Sequence, residues 1–194
     1  MASVVDDRLA GLPDTFRYVE AMKYVSERRL RSLVAEGQIT ALSRGLYRKS
    51  DWLGDDDLIE IASRSPHATL CLRSALVKHD LVDDVQAVID VAVPRGAWTS
   101  RTRSPVSWRH FDPDTFEIGR GRLDIGAGRS VGLYSAERSI VDAFRLRHLD
   151  GADVANEALK RWLRRGGQPA TLLRLAREFP RTVATLRRTL EILL

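Results

Sequence analysis

Apolar residues recur along much of this chain at the spacing of amphipathic helices, separated by shorter segments in which apolar and polar residues alternate. The spacing of Val4, Val5, Leu9 and Leu12 predicts a first helix over Ser3–Leu12, which "GLPD" ends. The next segment, "TFRYV", is typical of a short strand, and "VEAMKYV" predicts a short helical turn. The chain is therefore expected to begin with a helix, a brief extended segment and a second helix.

A third helix is predicted over Glu27–Glu36. Ser26 is a suitable N-cap, and Gly37 stands where a residue in the left-handed conformation would end the helix. The apolar stripe at i, i+3 and i+4 consists of Leu30, Leu33 and Val34. At about 100° per residue, the opposite face carries Arg28, Ser32 and Ala35, with Arg29 and Arg31 on its flanks. The exposed face of this helix is thus expected to be basic.

A hairpin is expected directly after that helix. The segment "QITALS" alternates like a strand, Gly45 in "RG" can take the positive φ of a tight turn, and "LYR" returns as a second strand. Three helices followed by a hairpin is the element order of a winged helix-turn-helix. We therefore predict such a DNA-binding domain over residues 1–54.

The acidic segment "KSDWLGDDD" is expected to join this domain to a mixed second domain over residues 55–194. Helical patterns cover Leu58–Arg64 and Leu70–His79, and "AVIDVAVP", "VSWRHF" and "GRLDIGAGRSVGLY" predict strands. Helices are predicted again in "SAERSIVDAFRLRHL", which Ser135 can cap, and over Ala152–Leu194. The expected fold class is α+β, with a mixed α/β C-terminal domain that ends in a helical tail.

Composition narrows the possible partners only modestly. The chain has 194 residues, enough for one domain or two small ones. Its formal charge of +5 attracts polyanions without implying specificity. Arginine supplies most of the positive charge; it can bind phosphates or guanine edges, but it also accumulates through a GC-rich codon bias. Composition alone does not distinguish a nucleic-acid-binding role of the arginines from codon bias.

Several classes of protein are disfavoured by the sequence. Cys71 is the only cysteine, so neither an internal disulfide nor a thiolate metal cage can form within the chain. The N-terminus carries acids where a signal peptide has positive charge, and no apolar segment is long enough to span a bilayer. We therefore expect a cytoplasmic protein that does not bind membranes.

The sequence does not predict an enzyme, a metal site or a cofactor. The four histidines are scattered, without partners at ligand spacing. Ser74 lacks the glycine elbow of a hydrolase nucleophile, and Asp90 is a single strand carboxylate where two-metal chemistry needs several. The glycines of "GRGRLDIGAG" have neither dinucleotide nor P-loop spacing.

Two charged features leave alternatives open. Arg138 and Asp142 lie one i, i+4 step apart on a predicted helix surface. They form either a local ion pair or a feature that fixes the fold or meets a partner. The helical tail is the most basic part of the chain; it is either a solvated face or a docking surface for an acidic protein or the DNA backbone. Its cations are Lys160, Arg161, Arg164, Arg165, Arg174, Arg177, Arg181, Arg187 and Arg188.

Four segments resemble one family in the same order. "LVAEGQITALSRGLYRKSDW" resembles the wing of AbiEi-type antitoxins, and "ATLCLRSALVKHDLV", "VIDVAVPRG" and "GLYSAERSIVDAF" resemble the segments that follow it. The likeness extends to about Leu149, and the arginine-rich style is similar to that of actinobacterial members. No motif of the tail beyond Leu149 is matched, so no toxin-neutralising residue can be transferred.

The resemblance implies an antitoxin that is not an enzyme. It would repress its own promoter by binding double-stranded DNA, and its partner would be a nucleotidyltransferase toxin of the AbiEii type. The recognition helix would be Ser26–Ser32, and the wing would be Arg44–Arg48. The predicted DNA-binding residues are Ser26, Arg28, Arg29, Arg31, Ser32, Arg44, Arg48 and Lys49. The alternative function is a ligand-responsive winged-helix transcription factor whose C-terminal domain encloses an apolar pocket.

Overall fold

The computed structural model describes residues 11–84 and 86–194, and over these residues the protein combines helices with two β-sheets. The expected α+β class is therefore confirmed. The helix predicted over Ser3–Leu12 lies almost entirely outside the described residues. Contacts between Cα atoms group the chain into two units. The first extends to Pro66 and also includes Ser100–Arg103 and Asp124–Val131, and the second contains the remainder.

From residue 11 onward, the first unit contains a three-stranded antiparallel sheet and three helices. In chain order its elements are β1 (Thr15–Arg17), α1 (Tyr18–Ala21), α2 (Glu27–Ala35), β2 (Ile39–Ser43), β3 (Leu46–Lys49) and α3 (Asp56–Arg64). The strand order is β1-β3-β2, so the central strand pairs with both neighbours. Phe16, Leu30, Leu33 and Ile39 are buried together between α2 and this sheet.

Local sequence signals account for these elements. Ser26 caps α2, because its hydroxyl accepts a hydrogen bond from the Arg29 amide at 3.3 Å. Gly37 has φ +72° directly after the helix, and Gly45 has φ +73° in the turn between β2 and β3. Both conformations are in the left-handed region that favours glycine. The predicted cap, helix end and hairpin turn are all confirmed.

The second unit packs helices against most of a five-stranded mixed sheet of order β6-β5-β4-β8-β7. Strand β4 pairs parallel with β8 and antiparallel with β5, and β5 pairs parallel with β6. In chain order, the elements that follow α3 are β4 (Thr69–Leu70), α4 (Leu72–Lys78), β5 (Ile89–Pro94), β6 (Val106–Phe111), α5 (Pro113–Phe116), β7 (Arg120–Gly126), β8 (Arg129–Tyr134), α6 (Ala136–Arg145), α7 (Arg147–Asp150), α8 (Ala152–Arg164), α9 (Pro169–Ala176) and α10 (Pro180–Leu193).

The helical tail belongs to the core of the second unit. The apolar face of α6 presents Ile140, Val141 and Phe144 to a buried cluster that also contains Trp162 of α8 and Leu186 of α10. The expected cap of α6 is confirmed, since the Ser135 hydroxyl accepts from the Arg138 amide at 3.2 Å. Removing the chain after Leu149 would therefore expose a large part of this core.

The first unit extends beyond the β2–β3 hairpin and includes segments that are distant in sequence. The Arg103 amide donates to the Glu60 carboxylate at 2.9 Å, and its guanidinium donates to the Leu42 carbonyl at 3.2 Å. Arg129 donates to the Thr15 hydroxyl at 2.7 Å. These bonds join residues that are far apart in sequence. The expected boundary after Gly54 stays a prediction about independent folding, to be measured on fragments.

Candidate nucleic-acid interface

Helix α2 presents its charged face away from the core of the first unit. Leu30 and Leu33 are 2% and 0% exposed, whereas Arg28 and Arg31 are exposed on other faces of the same helix. Arg28 makes no ion pair within the part of the chain that the structure describes. An exposed guanidinium without an acidic partner keeps all five N–H donors for another ligand. Arg28 is thus the most available cation of this helix.

Arg31 is exposed but has a neighbour of opposite charge. Its guanidinium pairs with Glu27 one helical turn earlier, and 77% of the arginine side chain remains accessible. The hydrogen bond from Arg31 is the main reason why the pKa of Glu27 is lowered, and the bond to Glu27 likewise raises the pKa of Arg31. Burial, followed by the charge of Glu27, raises the pKa of Tyr18. Water screens an exposed pair of this kind strongly, so a phosphate could compete with Glu27 for Arg31.

The remaining predicted residues of α2 are engaged with the helix itself. Ser26 is the N-cap, and Arg29 lies 2.9 Å from the Glu36 carboxylate with a third of its side chain exposed. The Ser32 hydroxyl donates to the same Glu36 oxygen at 2.5 Å. These contacts order the end of α2 and leave Arg28 and Arg31 as its outward-facing cations.

The two arginines of the hairpin lie in different surroundings. Arg44 is exposed at the β2–β3 turn and has no ion-pair partner among the described residues. Arg48 is only 19% exposed, and its Nε lies 2.8 Å from Asp56 at the beginning of α3. Its Nη1 also donates to the Lys49 carbonyl at 3.0 Å. Lys49 is 14% exposed, with its Nζ 3.7 Å from Asp14. Arg48 and Lys49 therefore have partners inside the first unit, and Arg44 has none described.

Two arginines that the sequence analysis did not select lie beside Arg44. A cleft of about 320 Å³ is lined by Arg17, Arg44 and Arg64 together with Ser43 and Ser63. Arg17 donates to the Ser63 carbonyl at 2.6 Å, and Arg64 donates to Glu60 at 2.9 Å. No spacing in the sequence relates these three arginines, because they come from β1, the hairpin turn and α3. We call the three residues the hairpin arginine cluster.

The Arg138–Asp142 pair is buried and does not lie on the helix surface where its spacing predicts it. Both side chains are 0% exposed, with Arg138 Nε donating to Asp142 at 2.8 Å. The guanidinium of Arg138 lies over the rings of Tyr134 and Phe179 at 4.4 and 4.5 Å, and it donates to two backbone carbonyls. The interpretation as a local ion pair is confirmed, and its contribution to the fold stays a prediction. The interpretation as a partner surface is wrong, because neither group can be reached.

The tail helices combine paired and unpaired arginines. Arg161 of α8 binds Asp83 through two bonds of 2.8 Å and thereby lowers the pKa of that carboxyl. Arg165 donates to the His79 carbonyl at 2.9 Å. Five further arginines are exposed without ion pairs to the described residues: Arg174, Arg177, Arg181, Arg187 and Arg188.

Among the described residues, the other candidate catalytic and metal-binding side chains do not meet in one site. Over residues 11–84 and 86–194, no three His, Cys, Asp or Glu side chains are grouped as a metal site would require. The ring of His79 lies 2.7 Å from the Tyr134 carbonyl, and the Ser74 hydroxyl donates to Gln86 at 2.7 Å. Asp90 pairs with Arg109 at 3.2 Å. In the same part of the chain, no helix combines the length and apolar character needed to cross a bilayer.

Comparison with known proteins adds no identification. A scan against protein-family models and a search of curated proteins both found no match to this chain.

Proposed function

We propose that this chain is a DNA-binding antitoxin of the AbiEi type, which represses its own promoter and opposes a nucleotidyltransferase toxin. One observation carries the DNA-binding part. The exposed arginines of α2 lie in the same unit as a glycine-turned hairpin with three arginines around its cleft. A helix-turn-helix protein needs such an outward-facing second helix, and a wing needs a cationic turn beside it.

The sheet order supports the winged-helix interpretation. Strand β1 precedes α1 and α2 in sequence, yet it pairs with β3, so the hairpin returns beside the start of the domain. Arg28 and Arg31 are the proposed base-reading residues, because α2 holds them away from its buried leucines. The hairpin arginine cluster is the proposed contact to the phosphate backbone. Arg48 and Lys49, which have internal partners, are assigned to holding the hairpin in place.

Base-reading and backbone contacts can be separated by titration with salt. Arg44→Ala should weaken binding to promoter and random DNA alike and reduce the salt slope by about 0.9 for one lost phosphate contact. Arg28→Ala should cost about 1–3 kcal/mol on the promoter and little on random DNA. Fluorescence anisotropy with both DNAs, at several salt concentrations, measures these differences.

Arg174→Ala is the matched control, since it removes one exposed arginine from α9 in the second unit. It should change neither promoter affinity nor the preference for promoter over random DNA. An equal loss in all three variants would indicate a response to net charge. Unchanged affinity in Arg28→Ala and Arg44→Ala would refute the proposed interface.

For the antitoxin activity, we propose that the exposed arginines of α10 contact the toxin. Truncation after Leu149 is a poor test, because it also removes buried residues such as Trp162 and Leu186. Replacing Arg187 and Arg188 by glutamate leaves that core intact and reverses the local charge. Coexpressed with the neighbouring toxin, this variant should rescue growth less well than the parent at equal protein level.

Arg95→Glu with Arg101→Glu makes the same change in net charge at other exposed positions. This control should rescue growth as well as the parent. Equal rescue by both double variants would remove α10 from the proposed toxin contact.

A further inference from the structure

A pocket of about 600 Å³ in the second unit is lined largely by charged and hydroxyl side chains. It lies between the end of α6 and the start of α10. Three arginines contribute to the wall: Arg145 at the end of α6, Arg147 at the start of α7 and Arg181 at the start of α10. This volume is in the range of small-molecule sites, and the proposed DNA contacts use none of these residues.

Arg145 is held rigidly at the wall of the pocket. Its Nη2 lies 2.9 Å from Asp142, and its guanidinium lies 5.1 Å from the ring centres of both Phe111 and Phe179. Asp142 is fully buried and also pairs with Arg138. Two guanidiniums thus share one carboxylate, and because arginine stays protonated, this group carries a positive charge that Asp142 does not balance. The 28% of Arg145 that remains accessible is a prepositioned cationic surface.

Two further cations line the opening. Arg147 and Arg181 are exposed, and neither makes an ion pair within the described part of the chain. Two acids, Asp112 and Glu178, also line the pocket. Asp112 is already bonded to the Asp114 amide at 3.1 Å and lies 3.6 Å from Arg95. The three arginines therefore outnumber the acidic groups that remain to balance them.

The beginning of α10 adds polar donors to the same wall. No side chain caps this 14-residue helix, whose N-terminal end carries the positive part of the helix dipole. Thr182 lines the pocket and is only 3% exposed. Its hydroxyl can donate a hydrogen bond to an oxyanion bound there.

We propose that this pocket binds a small molecule that carries a phosphate or diphosphate group. Arg145 supplies a fixed fork, Arg147 and Arg181 close on the anion, and Thr182 donates a hydrogen bond. Guanidinium groups suit phosphate oxygens because they can donate two parallel hydrogen bonds. A small ligand fits better than DNA, since the wall is concave.

The test uses the full chain and pyrophosphate as the probe. Calorimetric titration and thermal unfolding should show saturable binding, with sodium chloride at equal ionic strength as the reference. Arg147→Gln with Arg181→Gln should weaken pyrophosphate binding by at least about tenfold per lost arginine. Thr182→Val should weaken it by a smaller factor. Arg174→Gln with Arg177→Gln makes the same charge change on exposed positions outside the pocket and should bind like the parent.

Adenosine diphosphate and a short random DNA duplex distinguish the possible sources of the phosphate. Tighter binding of the nucleotide than of pyrophosphate would identify a nucleotide ligand, and equal binding would identify the phosphate group alone. The proposal fails if sodium chloride gives the same stabilisation or if both double variants lose binding equally. It also fails if only the duplex binds through Arg147 and Arg181. None of these outcomes depends on recognition of the promoter by α2.

Discussion

Asp142→Asn is the sharpest test of how the second unit is held together. The asparagine has nearly the shape of the aspartate but carries no charge. In the native protein Asp142 lies 2.8 Å from Arg138 and 2.9 Å from Arg145, and both Asp142 and Arg138 are 0% exposed. Because an arginine does not lose its proton, the substitution leaves the charge of Arg138 buried without a counterion.

The expected loss follows from these two partners. Breaking a buried ion pair on one side typically costs about 3–5 kcal/mol. Arg145 adds little, since 28% of its side chain is accessible and water can solvate it. The aromatic rings over Arg138 compensate only part of the lost attraction, as a cation–π contact contributes about 1–2 kcal/mol. We therefore expect Asp142→Asn to lower the free energy of unfolding by about 3 kcal/mol or more.

Urea unfolding followed by circular dichroism measures this loss. With an m-value of about 1–3 kcal/mol/M, the midpoint should fall by roughly 2 M. Glu157→Gln is the matched control, because Glu157 accepts from Arg161 and is 45% exposed. An exposed pair of this kind should cost at most about 1 kcal/mol. If Asp142→Asn proves no more destabilising than the control, the buried pair does not stabilise the unit in the way argued here.

Two further predictions concern packing and alkaline pH. Gly132→Ala should destabilise the protein by about 1–3 kcal/mol, because the new Cβ would lie 2.3 Å from the Thr69 hydroxyl and 2.9 Å from the Ala68 carbonyl. Thermal unfolding measures this loss. In the same assay Gly121→Ala should be tolerated, since its Cβ would lie 3.5 Å from its nearest atom. Burial raises the pKa of Tyr134 well above its ordinary value, so its contribution to stability is complete below about pH 10 and is lost as pH rises above that value. In an alkaline absorbance titration the last tyrosine should ionise only as the protein unfolds, and Tyr134→Phe should remove that step. A Tyr134→Phe protein that keeps the late step would contradict the assignment.

Elements with a strong local signal could be predicted from the sequence. Helix α2 has an apolar stripe, a serine cap and a terminal glycine within twelve residues, and the structure confirms each of these features. Strand β6 has the bounds expected from "VSWRHF". The helix predicted over Leu70–His79 begins too early, because Leu70 precedes α4 without a break in the apolar pattern but belongs to the very short strand β4. Its strand geometry depends on pairing with β5 and β8, which no local pattern encodes.

Burial of charged residues could not be predicted in the same way. The i, i+4 spacing of Arg138 and Asp142 is identical for an exposed pair and a buried one. What buries them is a set of aromatic rings from distant segments, including Phe111, Tyr134 and Phe179. Likewise, the hairpin arginine cluster unites Arg17, Arg44 and Arg64 through tertiary contacts alone. The environment of these side chains therefore depends on tertiary packing, which local sequence patterns do not encode.

The pairing and exposure of individual arginines therefore say more about function than the net charge does. The formal charge of +5 is small for 194 residues, but acids near Arg48 and Arg161 already balance those two cations. The positive surplus consequently falls on exposed arginines without described partners, among them Arg28 and Arg44. Such a side chain gains little in the folded protein from its charge, since water solvates it equally well when the chain is unfolded. Substituting it should change binding to a polyanion far more than stability, whereas substituting a buried arginine should do the reverse.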